Sequence, residues 1–268
     1  MMGLFLNLVN RLHESQNKGG INMLQNRIVL NTLVSQSDHN AGVAQPELVS
    51  NLLNTNVTNI ELRREYGNQT LSELQKLSQI RADHRLTFFY SVPDNLFIDH
   101  KLNLHLLQYV AEAQLLGASY IKMTLGDFDH SDVHLVDSLL SLIPESIQLN
   151  IENDQSAANS DTKKLAAFFD QFNDRSRKIG FVNDIGNWIF THQDAETSAQ
   201  ALLPYTRFVH LKSYLLDDKQ QPATVSFTKG DLNWKRLLNL FDTTLPVALE
   251  YPADSQALVA DLAVLKQF

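Results

Sequence analysis

Residues 179–186 read IGFVNDIG, and residues 195–205, a few positions later, read AETSAQALLPY. The first run is apolar at most positions until it reaches Asp184, as expected of a strand covered on both faces. The second spaces its apolar residues by three and four, the pattern of a helix with one buried face. The same alternation extends outward in both directions. Strand-like runs occupy 27–35, 57–66, 86–93, 119–128, 147–154, 207–214 and 246–252. Helical patterns occupy 45–56, 70–81, 102–117, 131–143, 162–173, 231–241 and 255–268. Eight consecutive strand–helix units with nearly all-apolar strands predict an α/β fold, a single (β/α)8 TIM barrel. An open doubly wound sheet is the competing architecture. It usually carries a glycine-rich phosphate turn after its first strand, and LVSQSDHNAG at 33–42 offers none.

A chain of 268 residues with 44% hydrophobic content can bury one large core, and no linker or composition break divides it. The expected organisation is a barrel domain over 23–268 preceded by an N-terminal extension or short helix over 1–22. That opening, MMGLFLNLVNRLHESQNKGG, lacks the basic start and small-residue cleavage site of a signal peptide, and Met23 is an alternative start. No apolar run is long enough to span a membrane. A formal charge of -8 gives no general attraction for polyanions, so nucleic acid and anionic membrane are not expected as partners. The absence of cysteine removes disulfides and thiolate metal sites, leaving His, Asp and Glu as the strong ligands, and fits a cytoplasmic enzyme. Assembly into a homo-oligomer stays open.

In a barrel of this kind chemistry sits where the strands end. The fifth strand ends LNIEND with Glu152, the sixth FVNDIGN with Asp184, the seventh FVHLKSY with His210 and the eighth VALEYP with Glu250. A lone polar residue at a strand end is usually a cap or turn-former. Four at matching ends of neighbouring strands are different. Three carboxylates packed together repel and raise one another's pKa, so a bound divalent cation is the economical reading; an internal salt-bridge network using Lys212 is the alternative.

These residues carry a resemblance. The Glu, Asp, His, Glu series, with NIEL at 59–62, HLK at 210–212 and KGDLNW at 229–234, resembles the xylose isomerase-like TIM-barrel superfamily, and within it the sugar phosphate isomerase/epimerase group. The resemblance covers the chain from about Arg27 to its end. It implies one divalent cation, Mn²⁺, Mg²⁺ or Co²⁺, held by Glu152, Asp184, His210 and Glu250. Many members have a histidine three residues after the strand-six aspartate, where this chain has Asn187. An arginine that some carry after the strand-seven histidine is absent from HLKSYLLDD.

From the residues themselves, an oxygen-rich site with one imidazole suits Mn²⁺ or Mg²⁺, and Zn²⁺ or Co²⁺ also fit. Such a cation can stabilise charge on a sugar enediolate as a C–H proton leaves, while Glu152 and Glu250 exchange protons as base and acid. Asp184 and His210 are then pure ligands. The resemblance implies a small sugar or sugar phosphate as the substrate. Asn187 can hydrogen-bond a hydroxyl, and Lys212 is an oxyanion or phosphate contact or the partner of a neighbouring acid. Glu61, Arg63 and Glu65 alternate onto one face of strand two, where they hold substrate hydroxyls or interlock inside the barrel, and Lys122 has the same two readings. Trp188, Phe128 and Tyr214 cover a sugar ring or anchor loops. His105 and His134 fall in helical patterns and read as ordinary surface or packing residues. The expected activity is a sugar isomerase or epimerase, with a dehydratase expelling a β-hydroxide as its close variant. An endonuclease IV-like nuclease lacks its extra histidines here, and a non-catalytic sugar-binding barrel has no use for two flanking glutamates.

Overall fold

The structure is a computed structural model that describes residues 27–131, 133–172 and 178–268, so the extension read over 1–22 and the expected domain start at residue 23 lie outside the described residues. Eight strands form the barrel: β1 Ile28–Asn31, β2 Asn59–Arg63, β3 Thr87–Ile98, β4 Ala118–Gly126, β5 Gln148–Glu152, β6 Ile179–Asp184, β7 Thr206–Leu211 and β8 Val247–Leu249. Each pairs in parallel with the next, and β8 returns to β1 through Ile28 opposite Val247, so the sheet closes. Closure leaves no unpaired edge among the eight.

The helices of the eight units are α1 Gln45–Leu52, α2 Leu71–His84, α3 Leu106–Leu116, α4 Val133–Leu142, α5 Thr162–Asp170, α6 Ala195–Ala201, α7 Trp234–Leu238 and α8 Ser255–Gln267. Several start on a side chain that accepts from an otherwise orphaned amide, as Thr70 does from Glu73, Asp194 from Thr197 and Asp254 from Ala257. At the far end of α3, Gly117 takes φ +67°, the left-handed conformation that ends a helix without a Cβ penalty. No helix among the described residues is long and apolar enough to cross a membrane.

Residues along each strand alternate between two packing environments. Val29, Phe89, Val182, Phe208 and Ala248 pack together as a separate buried cluster that plugs the barrel interior. Their neighbours Leu30, Phe88, Phe181, Val209 and Leu249 belong to the larger core between sheet and helices. A buried polar clamp ties that outer layer together: Glu112 of α3 accepts from Arg64 at 2.8 and 2.9 Å and from the Tyr90 hydroxyl at 2.6 Å.

Two segments depart from the sequence reading. The third strand does not stop at Pro93; it continues to Ile98, turns through Asp99 and His100, both at positive φ, and pairs back antiparallel over Lys101–Leu102. Pro93 has no N–H to give, and the register against β4 shifts between Ser91 and Asn95, which accommodates it. The hairpin uses up the residues read as the first turn of the next helix, so α3 starts at Leu106 rather than at 102. After β7, Ser213–Leu216 and Pro222–Val225 form a second antiparallel hairpin beside the barrel mouth. Its turn is held by Asp217, which accepts from the amides of Lys219 and Gln221 at 2.8 Å.

Candidate active site

Two residues beyond the plug, on the same face of each strand, the side chains change from apolar to polar or charged. Val29 is followed by Asn31, Tyr120 by Lys122, Val182 by Asp184, Phe208 by His210 and Ala248 by Glu250, while Glu61 and Glu152 take the equivalent places on β2 and β5. Asp184 and His210 stand directly opposite each other in the ladder. Glu152, Asp184, His210 and Glu250 are all buried, and each offers one ligand atom within 4.8 Å of the others. The four strand ends singled out in the sequence therefore meet at one point.

The loops that hold them are bonded to each other. Asn153 bridges β5 to β6: its Nδ2 donates to the Asp184 carbonyl and its Oδ1 accepts from the Asp184 amide, both at 2.9 Å. Asn187 Nδ2 donates to the Asn153 carbonyl at 2.8 Å. Asp184 Oδ1 accepts from the amides of Gly186 and Asn187 at 3.0 and 3.1 Å, which fixes the tight turn of DIGN. One oxygen of Asp184 is thus committed to its own loop, and only Oδ2 is left for chemistry.

Five charged or polar neighbours surround the four. His210 presents Nδ1 to Glu152 Oε1 at 2.6 Å and to Glu250 Oε2 at 3.2 Å, and its other nitrogen, Nε2, lies 3.0 Å from Glu61 Oε2. Asn31 Nδ2 donates to Glu61 Oε2 at 2.7 Å. Lys122 donates to Glu152 Oε2 at 2.5 Å, Lys212 lies 2.5 Å from Asp184 Oδ2 and 3.0 Å from Glu250 Oε2, and Arg63 reaches Glu250 Oε1 at 3.2 Å. Three fixed cations therefore face the four carboxylates of Glu61, Glu152, Asp184 and Glu250.

Burial and pairing shift these groups strongly. Burial alone raises a carboxylate, but Lys212 and His210 beside Glu250 hold it well below the ordinary carboxylate value. Burial likewise works to raise Glu152, but Lys122 and His210 together outweigh it and lower the carboxyl. Asp184 goes the other way: burial, helped by the charges of Glu250 and Glu152, pushes it up to about 7 despite Lys212. Burial also opposes charge on His210, yet Glu61, Glu250 and Glu152 raise it well above the ordinary imidazole value.

The donor set fits a divalent cation. Glu152 Oε1, Asp184 Oδ2 and His210 Nδ1 are buried, make no aligned hydrogen bond among the described residues, and meet only in the close charged contacts just given, Glu152 with His210 and Asp184 with Lys212. Each belongs to one of the four converging residues, and two carboxylate oxygens plus an imidazole nitrogen are suitable ligands for Mn²⁺, Co²⁺ or Zn²⁺, with Mg²⁺ favouring the oxygens.

Above the four lies a cavity of about 940 Å³, whose wall includes Arg63, Lys122, Glu152, Asn187, Lys212 and Glu250. The wall also carries Asn95, Asn103, Asp154, Gln155 and Asn159, alongside apolar Leu33, Val92 and Ile98. Two residues read as substrate contacts lie off this wall. Glu61 is fully buried beneath His210, and Trp188, equally buried, donates Nε1 to Asn183 Oδ1 at 3.2 Å as a loop anchor. Phe128 is also an anchor, packed against Phe97 and Phe168. His105, read as an ordinary surface or packing residue, stands at the N-cap position of α3, without a capping bond from its side chain, on the cavity wall. Asn31 and Asn153 were not singled out; both end barrel strands or follow them directly, the same signal that marks Glu152 and Asp184.

No protein-family model matches this chain, and no curated protein matches it. Solved structures do. A xylose isomerase domain protein from Planctomyces limnophilus aligns with a TM-score of 0.62 at 14% identity, covering 90% of this chain and 94% of the other. A probable 3-DHS dehydratase of petrobactin synthesis from Bacillus anthracis gives 0.64 at 15% identity, covering 89% and 98%. The D-allulose 3-epimerase of a Methylomonas species, solved with D-allulose bound, gives 0.59 at 13% identity, covering 89% of each chain. The barrel is thus of the class that carries a charged site at the C-terminal ends of its strands, and its fold is that of the xylose isomerase-like TIM barrels.

Proposed function

We propose that this barrel is a carbohydrate isomerase or epimerase that moves a proton next to a carbonyl, with one divalent cation held by Glu152, Asp184, His210 and Glu250. The observation that carries this reading is the convergence of four buried residues, each offering a ligand atom within 4.8 Å of the others, at the floor of a cavity. When bound, the cation supplies positive charge against the enediolate oxygens that develop as the proton leaves. Glu152 and Glu250 both face the cavity and both are held ionised by neighbouring cations, so either is ready to accept a proton from carbon. In isomerisation that carboxylic acid, after exchanging its proton with water, protonates the neighbouring carbon; in epimerisation the other glutamate, having taken a proton from water, protonates the same carbon from the opposite face. Asp184 and His210 hold the cation, and Asn187 offers a substrate hydroxyl its buried, unpartnered Oδ1.

The substrate is a sugar or a sugar phosphate. Arg63 and Lys122 on the wall lie against carboxylates, whereas Lys212, paired with Asp184 and Glu250, is the cation that a bound metal would release toward a phosphate. Amide side chains on the wall suit hydroxyl groups. Dehydration of a hydroxy-ketone by the same proton abstraction is the second reading, supported by the fold shared with the probable 3-DHS dehydratase.

The test is exchange in D₂O. Purified protein with Mn²⁺ is offered ketoses, aldoses and hydroxy-ketones, and the products are followed by NMR. Deuterium is expected next to the carbonyl of an accepted substrate, and Glu152→Gln and Glu250→Gln should each slow its appearance by about 10²–10⁴. A product formed without deuterium, or full exchange in both variants, counts against this reading.

A further inference from the structure

We propose that Lys212 is a resident counter-ion that occupies the centre of the carboxylate cluster in the metal-free protein and must withdraw before a divalent cation can bind, so that this lysine sets the metal affinity of the site. The inference rests on the cation reading above and adds to it.

The committed oxygen of Asp184 identifies the competitor. Oδ1 is occupied by the amides of Gly186 and Asn187, so the metal must take Oδ2. That is the atom against which Lys212 Nζ lies at 2.5 Å, without the alignment of a hydrogen bond. The same ammonium lies 3.0 Å from Glu250 Oε2. Two cations cannot share one oxygen in a buried site at these distances, because their repulsion is unscreened by water. Lys122 differs. It bonds Glu152 through Oε2 and leaves Oε1 facing the other ligand His210, so it neutralises a ligand without blocking it.

The position of Lys212 is built into the loop. A Cβ placed on Gly186 would lie 2.5 Å from Lys212 Cγ, so the missing side chain at 186 makes the groove in which the lysine stem rests. His210 and Lys212 are two residues apart and share a face at the end of β7, which puts the imidazole ligand and the ammonium on the same floor. Lys212 also lines the cavity, which gives the ammonium room to withdraw toward the substrate side.

Mn²⁺ binding to metal-free protein tests this without any turnover assay. Titration calorimetry and Mn²⁺ electron paramagnetic resonance are run on the wild type, Lys212→Met, Lys212→Arg and Lys122→Met. Lys212→Met is expected to bind Mn²⁺ at least roughly tenfold more tightly than wild type, with a larger rise of melting temperature on adding Mn²⁺. Lys212→Arg, which keeps the charge, is expected to bind no more tightly than wild type, and Lys122→Met is expected to gain less than Lys212→Met. Should Lys212→Met not fold without metal, folding on addition of Mn²⁺ supports the inference, and the wild-type and Lys212→Arg comparison still reads it. Equal or weaker binding by a folded Lys212→Met, or tighter binding by Lys212→Arg, overturns the inference and leaves the metal site standing. If neither wild type nor any variant binds Mn²⁺, the inference and the metal reading fall together.

Discussion

Glu61→Gln probes how the imidazole is aimed. Glu61 and His210 have no exposed side-chain surface, and Oε2 lies 3.0 Å from Nε2, so water does not screen the contact. For Nδ1 to hold a cation, the ring must carry its proton on Nε2, and the Glu61 carboxylate is the group placed to accept it. A hydrogen bond to a charged acceptor contributes about 1.5–3 kcal/mol, which at about 1.4 kcal/mol per factor of ten corresponds to a loss of roughly 10–100-fold in Mn²⁺ affinity. Glutamine keeps the size and the bond from Asn31 Nδ2, so the barrel is expected to melt as a single unit. Titration calorimetry gives the affinity, and long-range ¹H–¹⁵N spectra of His210 report which nitrogen is protonated. With diamagnetic Zn²⁺ bound in place of Mn²⁺, wild type is expected to show the Nε2–H form alone, and the variant a mixture of that form with metal-free ring. Mn²⁺ affinity within a factor of two of wild type, with an unchanged tautomer, would refute the role given to Glu61.

Other tests reach different parts of the molecule. Chelator should lower the melting temperature of metal-loaded protein and Mn²⁺ should restore it through linkage; an unchanged melting curve with no metal by elemental analysis would remove the site. Asp184→Asn keeps an acceptor for the Gly186 and Asn187 amides while weakening the ligand oxygen, so Mn²⁺ binding should fail with little change in stability, whereas Asp184→Ala should also lose about 1–3 kcal/mol in urea melts. Far from the site, Glu112→Ala leaves Tyr90 and Arg64 unpaired and should cost about 3 kcal/mol with the Mn²⁺ affinity intact. Burial works to raise Glu112, but the bonds from Arg64, Tyr90 and Gln108 outweigh it and hold it below the ordinary carboxylate value. Its contribution is therefore present above the unfolded-state value of about 4.3 and lost as pH falls through the lower folded value, so wild type and variant should converge in strong acid.

The barrel was legible because eight strand–helix alternations leave few ways to cover both faces of each strand. The four converging residues were legible for a related reason: a charged residue ending an otherwise apolar strand stands out, and a closed barrel brings all such ends together. Boundaries were less visible where tertiary pairing overrode a local stop, as at Pro93, whose strand runs on into the hairpin closing at Leu102. Glu61 was seen with two readings, substrate contact or interlock inside the barrel, since a two-residue period tells which face a side chain takes but not its height within the barrel. His105 carried no signal at all, because its place on the cavity wall depends on where α3 begins.

The strand ladder that separates the plug from the charged floor also governs how this chain can change over descent. Inserting one residue within Ile179–Asp184 would turn Asp184 toward the helices and bring a neighbour inward, and the same holds for Glu152 and His210 on their strands. Length variation is thus barred from the strands and confined to the rim, where the turns at 99–100 and 217–221 can grow or shrink without moving any of the four converging residues. A lineage carrying this barrel is free to revise what its mouth admits while inheriting the chemistry beneath unaltered.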